Sequence, residues 1–513
     1  MPSAVSSPWP RFYRNLALSL LLLGVAWRVL RYLLQFPIWG DEASVCLNLL
    51  DRDYLGLTRP LRFIQVAPLL FLWSELTAYR LLGGSEWAMR LMPFLAGLGS
   101  LLLFWRLVQR TLTPLAGVIA VGILAVAYYP VRHACEAKPY ALDLFMALAL
   151  LVAATNYLHD PRRPRWLIVL TIFVPISLGT SYPAVFVAGA VSVALLPSVW
   201  RCADWRLRGW YFAYNGLIPL SFLGVYLFAG TGQYASTGGT QNTYWADWFP
   251  PSQPLALLQW LARAHTGNMM AYPVGGRDGA SVLTLLLVVT GLSYFLHARR
   301  WQLLALLLVP FALTFLAAAM HRYPYGGSAR VAQHLAPAIC MLGGTGAAVA
   351  LAGVARRFGS ERRWGILACG LLAVIGVAGM TRDWRKPYKT ENDQLVRHII
   401  FDVIRQAGPD DQIVVLDTKR CAPASFEWYL RQHGERVAWD AAVDWDRLQR
   451  RGRLWGLSFC EDDSARSSVA ARLMDCKRPM MLTVHHAFDL QLGPSDEPPC
   501  HGEVFCWMEM YGE

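Results

Sequence analysis

The chain has 513 residues, of which 55% are hydrophobic and 16% charged, with 21 Trp and a mean hydropathy of +0.32. Soluble domains carry about 25% charge, so this composition excludes an ordinary water-soluble globular protein and makes the bilayer the expected solvent. The net charge of +12 does not point to nucleic acid, because the basic residues sit in short clusters between apolar stretches and not on one folded face.

The apolar residues gather into stretches of about 17 to 25, the length that crosses a hydrocarbon core as a helix. Residues 11–34 resemble a secretory signal, but they lack a small-residue cleavage site and carry Arg28 and Arg31 inside the apolar run. They read as an uncleaved first span. The pattern places eleven spans, near 15–34, 88–107, 114–130, 140–158, 166–181, 183–200, 211–229, 281–297, 302–319, 334–355 and 364–380.

Alternate connections are basic: Arg106 and Arg110, residues 159–165, Arg201 to Arg208, Arg299-Arg300, and residues 355–363. With Arg11 and Arg14 they assign the N-terminus to the cytoplasm of a multi-pass protein of the cell inner (plasma) membrane, and an odd number of spans then puts the C-terminus outside. The complementary connections, 36–87, 131–139, the turn at Tyr182-Pro183, 230–280 and 320–333, face out. Within the first, an amphipathic stretch from Leu61 to Leu82 suggests helices lying in the interface and no further crossing. The composition of 230–280 suits a mobile lid that stacks Trp245 and Trp248 on sugar rings, and equally suits interfacial anchoring of those tryptophans.

The expected fold class is therefore an α-helical polytopic membrane protein, residues 1–381, with a small soluble α/β domain, residues 382–513. In the tail, strand-like runs at 412–417, 454–458 and 480–485 alternate with helical patterns at 392–407, 422–433 and 466–475. The tail shows neither GxGxxG nor a Walker loop, so nothing points to a nucleotide. His485-His486 have no second ligand pair at helpful spacing, and metal binding is not expected there. Five of the ten cysteines fall in the tail (Cys421, Cys460, Cys476, Cys500, Cys506). Five is odd, so at least one stays outside any pairing within it; Cys500 and Cys506 are a candidate disulfide.

Three outward connections carry chemistry. Asp41 and Glu42 lie just after the first span, at a depth where ionisable groups are costly and tend to be functional; the same pair also suits the first turn of a helix. The second connection brings Arg132, His133, Glu136, Lys138 and Tyr140, followed by Asp143. The third, His321-Arg322-Tyr-Pro-Tyr-Gly-Gly-Ser-Ala-Arg330, adds titratable and cationic groups and a Gly-Gly hinge. A carboxylate can deprotonate a hydroxyl while Lys and Arg stabilise a phosphate leaving group. Carboxylates in two loops matched by cations in two, all on one face, point to phosphate-activated group transfer.

With these residues in place the sequence resembles the GT-C membrane glycosyltransferases that use polyprenyl-phosphate sugars. These include protein O-mannosyltransferases, the lipid A aminoarabinose transferase and the rhizobial lipopolysaccharide core transferases. The resemblance spans residues 15–380. It is carried by Asp41-Glu42, Gln65-Val-Ala-Pro68-Leu-Leu, Glu136-Ala-Lys-Pro-Tyr140-Ala-Leu-Asp143 and the Tyr323 to Arg330 loop.

The resemblance implies an inverting displacement at the anomeric carbon of a polyprenyl-phosphate sugar, with an extracytoplasmic lipid, glycan or protein as acceptor. Asp41 is then the general base, Glu42 its supporter and Glu136 the second-loop acid, a role for which Asp143 competes. Lys138, Arg322 and Arg330 are the phosphate candidates, with Tyr140 and His321 beside them in the same loops. Arg62 would reach a phosphate or snorkel. No cofactor is required by this chemistry, although some relatives hold a divalent ion near the position of Asp41. The rival class is a transporter or flippase for a lipid-linked sugar, which would show paired broken spans and mid-depth charges.

Overall fold

The computed structural model describes residues 9–409 except 203, 237–242 and 278, and beyond these 411–417, 424–432, 437–439, 454–460, 480–490 and 500–509. Each expected span is a helix: α1 (Arg11–Leu33), α5 (Leu91–Thr111), α6 (Pro114–Ala125), α8 (Tyr140–His159), α9 (Arg165–Thr180), α10 (Ala184–Arg201), α11 (Trp205–Val225), α14 (Val282–His297), α15 (Trp301–Ala319), α16 (Ala336–Phe358) and α17 (Glu361–Arg385). Eight are long and apolar enough to cross a membrane by length and composition; α6, α9 and α14 are apolar but shorter. By contacts the chain divides into one unit of residues 1–35 and 51–387 and a second of residues 36–50 and 388–513.

In the membrane unit, lipid offers no hydrophobic drive between helices, so close packing of small residues carries helix association. The α14–α16 contact shows why. A Cβ on Gly346 would stand 1.9 Å from the Leu287 carbonyl oxygen, and one on Gly291 would stand 2.0 Å from that of Leu342. The two backbones touch at these glycines. Gly346→Leu is therefore expected to destabilise the membrane unit by about 3 kcal/mol or more, since overpacking already costs about 1–3 kcal/mol where side chains can give way. Thermal unfolding in detergent reads this, and an unchanged midpoint would contradict the packing.

Polar side chains inside the first span find partners. Arg31 forms a buried ion pair with Asp383 of α17 at 2.8 Å, and Trp27 Nε1 donates to the other oxygen of the same carboxylate at 2.8 Å. Removing one partner of such a pair costs about 3–5 kcal/mol. Arg28, fully buried, donates from Nη1 to the carbonyls of Gly24 and Ala125.

The second of those carbonyls belongs to the end of α6, where sequence and structure differ. The stretch 114–130 reads as one span but is α6, a break at Val126-Ala127, and α7 (Tyr128–His133). Pro130 explains the break: it has no N–H to offer the Val126 carbonyl, and its ring excludes a helical path there. Arg28 supplies a donor at the exposed helix end.

Two other connections also differ. The stretch from Leu61 is helical only from Leu69 (α3, Leu69–Leu82; α4 is Glu86–Met89). Between Pro60 and Pro68 the chain is irregular, with φ of 61° at Phe63 and 55° at Ile64. At 14 residues α3 spans about 21 Å, too short to cross. The 230–280 connection, read as a lid, is largely structured among its described residues: α12 (Thr231–Ser236), a turn at Ala246–Trp248, α13 (Pro254–Thr266) and a turn at Asn268–Met270.

The second unit holds α2 (Gly40–Asp51) up to Leu50 with the C-terminal part of the chain. The Ile38 N–H donates to the Tyr429 hydroxyl at 2.8 Å. Thr390 and Asp393 form a capping box at the start of α18 (Glu391–Gln406), each side chain taking the other's backbone N–H. With α19 (Ala424–Gln432) it accompanies a five-stranded sheet of order β2-β1-β3-β5-β4. The strands are β1 (Gln412–Asp417), β2 (Val437–Trp439), β3 (Leu454–Cys460), β4 (Met480–Leu490) and β5 (Cys500–Glu509).

β1 pairs parallel with β2 and β3, and α19 provides the long crossover that a parallel β1–β2 pair needs. β5 lies antiparallel between β3 and β4. β1, β3 and β4 fall on the strand-like runs read from sequence, with β2 and β5 additional to them, and the helical pattern at 466–475 lies outside the described residues. Cys500 and Cys506 cannot pair with each other. They stand at positions of one continuous strand, about 20 Å apart along it, whereas a disulfide needs Cα atoms within about 7 Å.

Candidate functional site

The break after α6 positions the richest polar cluster of the membrane unit. α7 and the turn to α8 carry it. Arg132 Nε donates to Glu136 Oε1 at 2.6 Å, and His133 Nδ1 lies 2.8 Å from Glu136 Oε2. One carboxylate thus holds both a guanidinium and an imidazole, three and four residues back, the spacing at which helical neighbours meet. Glu136 and His133 are buried, and the imidazole lies between the Tyr129 ring, nearly parallel at 6.1 Å, and the edge of Tyr140 at 5.1 Å.

Burial pushes His133 below its ordinary pKa; Glu136 opposes this, and Arg132 and Arg330 add to it. The ring is then neutral at pH 7. With Nδ1–H donated to the carboxylate, Nε2 is left as an acceptor, and it has no partner among the described residues. Because the native imidazole binds its proton less readily than in the unfolded chain, stability from this group is complete above about pH 6.5 and falls as pH drops through the lowered native value. Activity is expected to show an acid limb below that pH which His133→Gln flattens. A pH–rate profile identical for both proteins would contradict the role.

Lys138 is buried to 4% exposure, and its ammonium donates to Gln65 Oε1 at 2.7 Å. This ties the second outward connection to the irregular stretch ahead of α3. That stretch is fixed further by Gln233, whose Nε2 donates to the Ala67 carbonyl and whose Oε1 accepts from the Ala67 N–H, and by the Tyr182 hydroxyl on the same carbonyl. The Tyr129 hydroxyl donates to Asn268, which donates in turn to the Gly327 carbonyl. The late loop is thereby joined to the same region.

Arg330 donates to the Tyr244 hydroxyl at 2.9 Å, and its guanidinium lies 5.9 Å from the Tyr244 ring centre and 5.2 Å from that of Trp245. Its loop is joined to the His133 cluster through the Gly327 carbonyl, Asn268 and Tyr129, whose ring faces the imidazole. Glu136, Lys138, Tyr140 and Arg330 therefore belong to one neighbourhood.

Other candidates stand differently. Asp143 is buried in the first turn of α8, near Ser181. Arg62 is half-exposed and engaged by Asp51 at 2.8 Å. Arg322 is exposed, as is His321, which sits at φ 55° with its ring 4.7 Å from Phe249.

Asp41 and Glu42 open α2 in the second unit. Glu42 is fully buried and accepts from the Trp39 N–H at 3.4 Å, the reach-back of a helix-capping glutamate; Asp41 is half-buried. The Lys389 ammonium lies over the Trp39 ring. Among the described residues no group of three or more His, Cys, Asp and Glu side chains is placed to hold a metal ion.

Sequence reasoning missed Tyr129, Asn268, Tyr182 and Gln233, whose bonds join segments far apart in the chain. Gln65 was visible only as part of a motif. The signal for it was a lone polar residue between Phe63-Ile64 and Val66-Ala67.

Comparison with known proteins fits this layout. Residues 66–223 match the family described as dolichyl-phosphate-mannose-protein mannosyltransferase. No curated protein matches the chain. Among solved structures, apo ArnT from Cupriavidus metallidurans matches with a TM-score of 0.53 at 12% identity, over 94% of this chain and 97% of that one. ArnT of the same organism bound to undecaprenyl phosphate matches with 0.53 at 12%, over 96% and 97%. The apo oligosaccharyltransferase of Archaeoglobus fulgidus gives 0.49 at 12%, over 82% and 64%. The chain has eight helices long and apolar enough to cross a membrane, and its fold is similar to that of ArnT over nearly the full length of both chains, the GT-C fold that its sequence resembles.

Proposed function

We propose that this protein is a glycosyltransferase that moves a sugar from a polyprenyl-phosphate donor to an extracytoplasmic acceptor. The observation that carries the reading is the assembly of Glu136, Lys138, Tyr140 and Arg330 in one neighbourhood of a GT-C membrane unit. It is supported by the similar fold of a protein solved with undecaprenyl phosphate bound. Residues 1–381 form the transferase part and 382–513 a water-facing domain, with the N-terminus cytoplasmic.

In the proposed reaction an acceptor hydroxyl loses its proton to Asp41 as its oxygen attacks the anomeric carbon. The bond from that carbon to the phosphate oxygen breaks on the opposite side, and the configuration inverts. The electron pair leaves with the phosphate, whose growing charge is met by Lys138 and Arg330, with Arg322 as a further cation of the same loop. Glu42, buried and bonded to the Trp39 N–H, holds the turn that presents Asp41. Glu136 acts through its neighbours: it keeps Arg132 charged and in place and fixes the His133 tautomer.

Membranes containing the protein, supplied with radiolabelled polyprenyl-phosphate sugar, are expected to move label into an acceptor fraction and release polyprenyl phosphate in equal amount. Transport without any new glycosidic bond would overturn the reading in favour of a flippase.

A further inference from the structure

At the opposite end of the spans from Glu136 and Arg330 lies a cavity of about 410 Å3 that the transfer reaction does not use. It opens where α1, the α5–α6 turn, α14, the start of α15, α16 and the start of α17 meet, and Trp9, Thr111, Thr113, Arg300, Thr345 and Glu361 contribute to its wall. Apart from Tyr294 the rest of the lining is apolar, including Leu115, Phe295 and Ala348. Its volume falls in the range of small-molecule sites, about 300–1,000 Å3.

Two polar groups on its wall are incompletely satisfied. Arg300 donates from Nη2 to the Thr111 carbonyl at 3.0 Å; its Nε is buried without a partner, and no ion pair joins it to a carboxylate among the described residues. Trp9, 7% exposed, has its indole N–H buried without a partner among the described residues. The indole is seated against Gly117, where a Cβ would stand 2.2 Å from its ring. The helix ends and turns that bound the cavity also carry Arg11, Arg14, Arg299, Arg356, Arg357 and Arg362 along the sequence. A guanidinium in a half-enclosed interhelical cavity, with apolar walls behind it and a basic rim, is the arrangement that takes an anionic headgroup with its acyl chain alongside.

We infer that this cavity binds an anionic glycerophospholipid of the surrounding leaflet, its phosphate on Arg300 and its chain along Phe295 and Ala348. The lipid fastens the α5–α6 turn to the α14–α15 turn through Arg300 and Thr111. It is a site for a structural lipid, separate from the donor site in position and in the residues it uses.

The test uses the full-length protein purified in detergent and stripped of lipid. Native mass spectrometry and thermal unfolding are read with added phosphatidylglycerol, phosphatidylcholine or inorganic phosphate. Retention of phosphatidylglycerol at least tenfold above phosphatidylcholine, with a saturable rise in the unfolding midpoint, is expected. Arg300→Gln should lose that preference and Arg300→Lys should keep most of it. Ala348→Phe should abolish retention by filling the cavity while leaving the charge in place. Equal retention of both lipids by the wild-type protein would overturn the proposal. So would a preference unchanged in Ala348→Phe, or inorganic phosphate alone reproducing the stabilisation. Should Arg300→Gln not fold, the contrast between Ala348→Phe and Arg300→Lys decides.

Discussion

Asp41→Asn is expected to lower sugar transfer by about 10²–10⁴-fold, the contribution of a well-placed general base, while leaving expression and unfolding midpoint almost unchanged. The two effects separate because of where Asp41 sits. It is a half-buried residue in the first turn of α2, where its charge contributes about 0.3–1 kcal/mol through the helix dipole, and asparagine keeps its shape. A loss of two or more orders in rate then reports chemistry and not unfolding. Glu42→Gln makes the contrast: Glu42 is fully buried, so this change should lower stability measurably and the rate less steeply. An Asp41→Asn protein that keeps more than half of its turnover number would end the assignment of Asp41 as base.

The second large effect is expected at Lys138. Its ammonium is buried, held by Gln65 at 2.7 Å, and linked through the backbone N–H to the Glu136 carbonyl. Replacement by methionine keeps the stem and removes the charge. If the ammonium stabilises the departing phosphate, transfer should fall by about 10²–10³-fold, as when one preorganised donor is removed from a site of developing negative charge. Gln65→Leu leaves the charge and removes only its tether, so it should raise the donor KM while changing kcat by less than tenfold. Steady-state kinetics on both variants read the difference. Equal losses in the two would make Lys138 a structural tie.

The spans were legible because lipid forces the backbone into helices and demands about 20 apolar residues for each. All eleven expected segments are helical for that reason. Hydropathy fails where apolar character continues but the helix does not. Residues 114–127 contain no polar side chain, so the break at Val126-Ala127 shows only through Pro130 and through Arg28, whose partners include the Ala125 carbonyl. Arg28 looked anomalous inside a span; it is the donor that the broken helix requires.

The candidate site was legible in its residue types and less so in its connections. Arg132, His133 and Glu136 are near in sequence, and helical spacing alone brings them together. Lys138 with Gln65, Tyr129 with Asn268 and Arg330 with Tyr244 cross 73, 139 and 86 residues, and no local pattern marks such pairs. In the tail, β5 escaped notice because Cys500-His-Gly-Glu mixes polar residues and a glycine into a strand whose place is set by pairing on both sides.

The most direct test of the central claim is reconstitution of the purified protein into vesicles with a polyprenyl-phosphate sugar labelled in both sugar and lipid, together with envelope extract as acceptor. The account predicts that sugar label enters acceptor with inverted anomeric configuration, that free polyprenyl phosphate accumulates one for one, and that Asp41→Asn abolishes both. Sugar and lipid labels that remain joined, however they redistribute across the bilayer, would contradict it.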